Sequence, residues 1–233
     1  MKYKLSELFR KCAWEVEYTN ISDWVSYSFV EEGDTLYIYF QGSYEVMDWI
    51  ANFSFFPTSK RPYKNMEKPY RVHGGFLAAW KEVEDTIIAK VTERERFGAW
   101  KYKWNHITVV GYSHGGALAG LCHECVWYYR PDLRENGLEG YGFEAPRFYA
   151  GLRVRKDLRE RWEKFTVIRD GTDIVTHCPP VLFGFAHVGK ILRIKGDTGL
   201  VENRLPKCVK YHYPQTVYDG LLKHEENEDG KED

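Results

Sequence analysis

The thirteen residues Ile107-Thr108-Val109-Val110-Gly111-Tyr112-Ser113-His114-Gly115-Gly116-Ala117-Leu118-Ala119 constrain the fold of this chain more than any other stretch. Thr108, Val109 and Val110 are β-branched and sit in a short apolar run, the composition of a strand buried on both faces of a parallel sheet. Ala117, Leu118 and Ala119 are strong helix formers. Between the two runs, Gly111-x-Ser113-x-Gly115 has the spacing of a sharp strand-to-helix turn that lifts the serine Oγ above the sheet edge. Glycine at 111 and 115 lets strand and helix backbones come close where a Cβ would hold them apart. The free N–H groups and positive dipole end of the helix then point at the serine, where an oxyanion develops during acyl transfer. A bare G-x-S-x-G arises readily by chance, so the weight lies in the strand before it and the helix after it.

The rest of the composition narrows the class. A chain of 233 residues has room for one α/β domain with a substantial core, expected over residues 1–223. Residues 224–233 form an acidic run expected to be unordered and solvating. With 43% hydrophobic and 29% charged residues and a net charge of -1, nothing favours nucleic acid or an anionic surface as partner. Five cysteines, an odd number, argue against a disulfide framework. Cys122 and Cys125 flank His123-Glu124 within the helix after Ser113 and are expected in the core rather than on a metal, since no second pair completes a tetrahedral site. No stretch is apolar enough for a membrane span, and residues 1–8 lack the apolar core of a leader, so the expectation is a cytoplasmic protein, or a secreted one if a leader was removed.

Alternation of strand and helix patterns runs along the chain. Leu5, Leu8, Phe9, Cys12 and Val16 fall at helical spacing. Residues 24–30 and 35–40 flank the turn-forming Glu31-Glu32-Gly33-Asp34 as a strand pair. Phe76, Trp80, Val83, Ile87 and Val91 predict a helix of about five turns whose exposed face carries Lys81, Glu84, Asp85 and Lys90. Residues 138–143 and 165–168 read as strands, with a charged helical segment over 154–164 between them. The result is an α/β fold, a mostly parallel sheet with helices on both faces.

A serine needs a base to take its proton, and an imidazole needs a carboxylate to fix its tautomer. In this chain order the acid follows the serine and the histidine follows the acid. Asp170 and Asp173 are the acid candidates at a strand end; His177, His187, His212 and His224 are the candidate bases. His224 opens the acidic run, and His177 follows Asp173 too closely to reach the elbow readily. Spacing leaves the choice open.

Six motifs occur in order: Phe40-Gln41-Gly42-Ser43, Asp48-Trp49-Ile50-Ala51-Asn52, Val72-His73-Gly74-Gly75-Phe76, Gly111-Tyr112-Ser113-His114-Gly115-Gly116-Ala117, Ala145-Pro146-Arg147 and Asp173-Ile174-Val175-Thr176-His177-Cys178-Pro179-Pro180. Over residues 35–220 the chain resembles the class 3 lipases, the family of the fungal triacylglycerol lipases and some feruloyl esterases. The resemblance implies an α/β-hydrolase fold that needs no cofactor or metal. It implies Ser113 as nucleophile, Asp173 as the acid and His212 as the base, although the aspartate that precedes the family's histidine is missing here. It also implies an oxyanion hole from Ser43 and the His114 N–H; Gln41 and His114 stand where arginine and leucine are usual, and neither change removes a backbone donor. A lid is implied near residues 44–56, with Val46, Met47, Trp49 and Ile50 on one helical face that meets a lipid interface when open. His73, His177 and His187 match segments without a catalytic role. The expected activity is hydrolysis of lipid esters through an acyl-enzyme, with a short-chain or aryl esterase and a silent lipid-binding module as alternatives. Because an imidazole must be neutral to accept the serine proton, activity through such a triad falls as pH drops below about 6 to 7.

Overall fold

The β-branched run at the heart of the sequence becomes the middle strand of the main sheet. The structure, a computed structural model, describes residues 3–42, 57–60, 69–97, 99–201 and 204–230. Its strands in chain order are β1 (Thr19–Ser22), β2 (Val25–Glu32), β3 (Thr35–Phe40), β4 (Pro57–Lys60), β5 (Tyr70–His73), β6 (Arg94–Phe97), β7 (Ala99–Tyr102), β8 (His106–Tyr112), β9 (Leu138–Phe143), β10 (Tyr149–Ala150), β11 (Phe165–Asp170), β12 (Phe185–Ala186) and β13 (Lys190–Ile194). The α-helices are α1 (Leu5–Arg10), α2 (Gly74–Val91), α3 (His114–Tyr129), α4 (Lys207–Lys210) and α5 (Pro214–Asp229).

Among the described residues seven strands pair in the order β1-β2-β3-β8-β9-β11-β13. The first two pairings are antiparallel and the four from β3 to β13 are parallel. Val109 of β8 lies opposite Ile38 on one side and Gly140 on the other, which puts the elbow strand in the middle. Alternate residues feed two cores. Leu36, Ile38, Phe40 and Val109 pack with α2 and α3, whereas Tyr37, Tyr39 and Val110 pack with α1 and α5 on the opposite face. Strands covered on both faces are the reason the pattern along β8 is continuously apolar rather than alternating. Trp80 on α2 is fully buried between the layers, worth about 2 to 3 kcal/mol of hydrophobic stabilisation for a side chain of that kind.

Four expectations need correction. Glu84 is not on the exposed face of α2: it is buried and accepts the Trp80 Nε1–H at 2.9 Å while pairing with Lys81. Its aliphatic stem continues the apolar stripe and its carboxylate is supplied with donors, the condition under which a charge can be buried. The N-terminal helix keeps its predicted inward face of Leu8, Phe9 and Cys12 but widens into one π turn at Lys11–Glu15. The charged segment between β9 and β11 is a 3-10 turn, Lys156–Trp162, that buries Leu158 and Trp162.

The acidic run is ordered through Asp229 as the end of α5. Glu225 accepts the Ser6 N–H at 2.8 Å and the Ser6 Oγ–H at 2.7 Å, and so supplies acceptors to the first turn of α1. These partners lie about 220 residues away in sequence, so local composition carries no trace of them. The exposed pair Lys4–Asp229 adds little by comparison. The edge strand β13 and the β6-β7 hairpin were not expected from the pattern. Among the described residues no helix is long and apolar enough to cross a membrane.

Candidate active site

The site begins with steric necessity at the end of β8. A Cβ on Gly111 would meet the Gly115 carbonyl, and one on Gly115 would meet the Phe40 and Gln41 carbonyls, all closer than 3.0 Å. The two glycines therefore serve different contacts, one between strand and helix and the other between the helix and the end of β3. Between them Ser113 adopts φ 56° and ψ -126°, a conformation that residues with a Cβ avoid and that costs of order 1 to 3 kcal/mol. Two backbone hydrogen bonds hold it there: Ser113 N–H donates to Phe143 O at 2.8 Å, and Gly116 N–H donates to Ser113 O at 2.9 Å.

His212 lies in the turn between α4 and α5, 99 residues after the serine. The Ser113 Oγ–H donates to His212 Nε2 at 2.8 Å, and His212 Nδ1–H donates to Asp173 Oδ2 at 2.8 Å. All three side chains are buried. The imidazole is gripped from a direction the sequence did not suggest: Tyr112 stacks on it with ring centroids 5.3 Å apart at 20°, and the Tyr112 hydroxyl donates to the His212 carbonyl. Tyr112 occupies the variable position of the elbow motif, so the motif itself gave no signal for this role.

Asp173 follows β11 and is fixed by its own turn. Its Oδ1 accepts Val175 N–H at 3.0 Å. Burial by itself would raise the carboxyl; the adjacent His212, as a charge and as a hydrogen-bond donor, outweighs that and with the Val175 N–H holds it below its ordinary value, as an anion. Arg147, quoted above only as part of a motif, clamps the downstream turn by donating to the carbonyls of His177 and Pro179. His177 donates its Nδ1–H to the Asp173 carbonyl at 2.7 Å, and His187 donates Nε2–H to Thr176 O at 2.8 Å, so both histidines brace this turn and neither faces the serine. His73 caps α2, its Nδ1 accepting Phe76 N–H at 3.4 Å. Cys122 and Cys125 are buried in the core. His123 between them donates Nδ1–H to Arg161 O at 3.0 Å.

The other candidate acid, Asp170, accepts Gly196 N–H at 2.8 Å, whereas the His212 Nδ1–H is taken by Asp173. Burial, reinforced by the charge on Asp173, pushes it up to about 7 from 3.8. A raised acid binds a proton in the fold that the unfolded chain has lost, so its contribution to stability is complete below about pH 4 and disappears as pH rises through about 7. The full loss is at most about 4 kcal/mol. Asp170→Asn keeps the acceptor for Gly196 and removes the titration. Between pH 5 and pH 8 the wild-type Tm is therefore expected to fall further than that of the Asn variant, and parallel Tm curves would refute this.

His114, the first residue of α3, presents its backbone N–H beside the nucleophile. Its imidazole is buried against Phe76 and Trp24, and burial with the neighbouring His73 lowers it to about 4. It is thus uncharged across the neutral range and places no cation beside the serine. Ser43, expected as the other oxyanion donor, and the lid residues Val46, Met47, Trp49 and Ile50 lie outside the described residues. Chemically, the described set offers a nucleophilic oxygen, a base within hydrogen-bond reach of its proton, a buried anion behind the base and a helix N-terminus beside it, the parts required for acyl transfer.

Comparison with known proteins gives the same answer as the geometry. The family model described as Lipase (class 3) matches residues 37–183. The lipase of Rhizomucor miehei is 32% identical over 174 residues, 69% of this chain and 43% of that protein. The secreted mono- and diacylglycerol lipase 1 of Fusarium solani is 31% identical over 147 residues, 63% of this chain and 40% of that protein. The chain thus spans less than half the length of these relatives. A solved triacylglycerol lipase, described as having a serine protease triad at its catalytic centre, superposes with a TM-score of 0.62 at 27% identity, covering 88% of this chain and 77% of that one. The mostly parallel sheet with its strained serine elbow is the α/β-hydrolase fold these lipases share, and by sequence and structure together the chain belongs to the class 3 lipase family.

Proposed function

We propose that this protein hydrolyses carboxylic esters of lipids through an acyl-enzyme on Ser113. The observation that supports this above all is the unbroken hydrogen-bond chain from Asp173 through His212 to Ser113, with both links at 2.8 Å, on a strained elbow. In the first step Ser113 Oγ attacks the ester carbonyl carbon while His212 Nε2 takes the hydroxyl proton. The tetrahedral oxyanion is held by the His114 N–H at the positive end of α3. Collapse expels the alcohol, which receives the proton back from His212 Nε2, and leaves the acyl group on Ser113. Water, deprotonated by the same nitrogen, then attacks the acyl carbonyl, and His212 Nε2 returns the proton to Ser113 Oγ as the acid is released. Asp173 stabilises the imidazolium formed in each step and is not itself protonated.

Treatment with a fluorophosphonate is expected to place a phosphonyl group on Ser113 with loss of fluoride, located by mass spectrometry. Absence of label at Ser113 in folded protein overturns the proposal and favours a silent lipid-binding module. Hydrolysis measured across acyl chain length, and across the micelle threshold of the substrate, separates a lipase from a short-chain or aryl esterase. A rate that rises at the threshold supports the interfacial role expected of residues 44–56, and a rate indifferent to it supports the esterase.

A further inference from the structure

Glu144 directly follows β9 and is the one other non-glycine residue besides Ser113, among those described, with a positive φ, here 49°. A glutamate held in this conformation is maintained against its own preference, which asks what its side chain does there. The side chain is completely buried. Oε1 accepts Asp170 N–H at 2.6 Å, and among the described residues no donor reaches Oε2. Its carboxyl belongs to a tight group: Glu144, Asp173 and His212 each place one polar atom within 4.8 Å of the others.

Two ionised carboxylates cannot share such a space stably, because both would be desolvated and each would repel the other. The groups around them decide which one ionises. Asp173 has the His212 Nδ1–H and the Val175 N–H as donors. Glu144 has only the Asp170 N–H, and the titratable and charged groups that act on it are the carboxyls of Asp170 and Asp173, the Tyr112 hydroxyl from β8 and Arg169 from β11. A proton on Glu144 Oε2 satisfies both needs at once. It removes the charge and converts the orphaned oxygen into a donor, and the acceptor at hand is Asp173.

We infer that Glu144 is a positioning residue for the triad: it holds a proton on Oε2 and donates it to the Asp173 carboxylate, fixing the anion that orients His212. The inference rests on the hydrolase reading above for its kinetic consequence but not for its structural one. Burial, reinforced by the Asp173 charge, drives the Glu144 carboxyl well above its ordinary value, in agreement with the geometry. With the third donor in place, Asp173 accepts from Glu144, Val175 and His212 together, which leaves it little freedom to rotate away from the imidazole.

Two measurements test this. Infrared difference spectroscopy of wild type against Glu144→Gln is expected to show the carbonyl band of a protonated carboxylic acid at pH 8 that is missing in the variant; no such band means that Glu144 is ionised and overturns the inference. This readout needs no substrate, so it stands even if the protein proves not to be a hydrolase, a failure that the fluorophosphonate experiment reports separately. Ester hydrolysis supplies the second readout. Glu144→Ala is expected to lower kcat about 10- to 100-fold, the scale of losing a partner that orients a site ligand, with KM changed less than about twofold. Glu144→Gln, which keeps an acceptor for Asp170 N–H and offers an amide donor to Asp173, is expected to rescue most of that loss. If the Gln variant is as impaired as the Ala variant, or if Ala retains wild-type kcat, the positioning role is wrong. Should the Ala variant fail to fold, the band and the Gln kinetics still decide.

Discussion

Replacing Ser113 by alanine is expected to lower kcat for ester hydrolysis by about 10^5- to 10^6-fold, the scale on which serine–histidine hydrolases lose rate when the nucleophile is removed. The size follows from what the oxygen does: without it there is no covalent intermediate, and His212 and the His114 N–H are left to assist water alone. That assistance has limited reach, since an oxyanion donor typically contributes 10^2- to 10^3-fold. The members of the set act as a unit, so Ser113→Ala combined with His212→Ala is expected to be scarcely worse than either alone. Alanine is the right probe because it retains a Cβ at φ 56° and so leaves the backbone strain as it was. Its urea midpoint should match that of wild type, and single-turnover hydrolysis of a chromogenic ester checks the rate. A residual rate above a tenth of wild type would remove Ser113 from the reaction.

The second large effect concerns folding. Gly115→Ala is expected to destabilise the protein by at least about 4 kcal/mol, a loss found only where a named steric fault is created. The added methyl would press on the main-chain oxygens of Phe40 and Gln41, and main chain cannot swing aside as a flexible side chain can. Two benefits oppose the clash. Alanine is a better helix former by up to about 1 kcal/mol, and it narrows the unfolded ensemble by about 0.4 to 1 kcal/mol. Together they fall short, because relieving the contact requires the N-terminus of α3 to lift away from β3. Urea unfolding followed by circular dichroism tests this, and a midpoint equal to wild type would show that the contact is not close. Gly111→Ala should behave alike, because its methyl meets the Gly115 carbonyl.

What the sequence revealed and what it concealed divides along one physical line. The elbow was legible because everything that makes it is local: a β-branched strand, two glycines and a helix former within thirteen residues. The core beneath α2 was legible for the same reason, from the helical stripe of Phe76, Trp80, Val83, Ile87 and Val91. His212 was not legible from spacing, because its place beside Ser113 is set by the docking of α4 and α5 after 99 residues of intervening chain; the motif resemblance pointed to it where spacing could not. Charge misled where a side chain that looked solvated found donors in the fold, one helical turn away for Glu84 and 219 residues away for Glu225. Glu84 looked solvated until Trp80 and Lys81 were seen around it, and Glu225 looked like part of a solvating tail until Ser6 met it. Glu144 gave no signal at all, since neither a positive φ in a non-glycine residue nor a shared proton can be read from a string of letters.

The contorted backbone at Ser113 has an evolutionary side. The side chain proposed to perform the chemistry also makes its own position one where glycine would sit more comfortably. Thermal endurance and turnover therefore pull residue 113 in opposite directions. A lineage propagated only for surviving heat is therefore expected to drift toward glycine there and lose the proposed reaction.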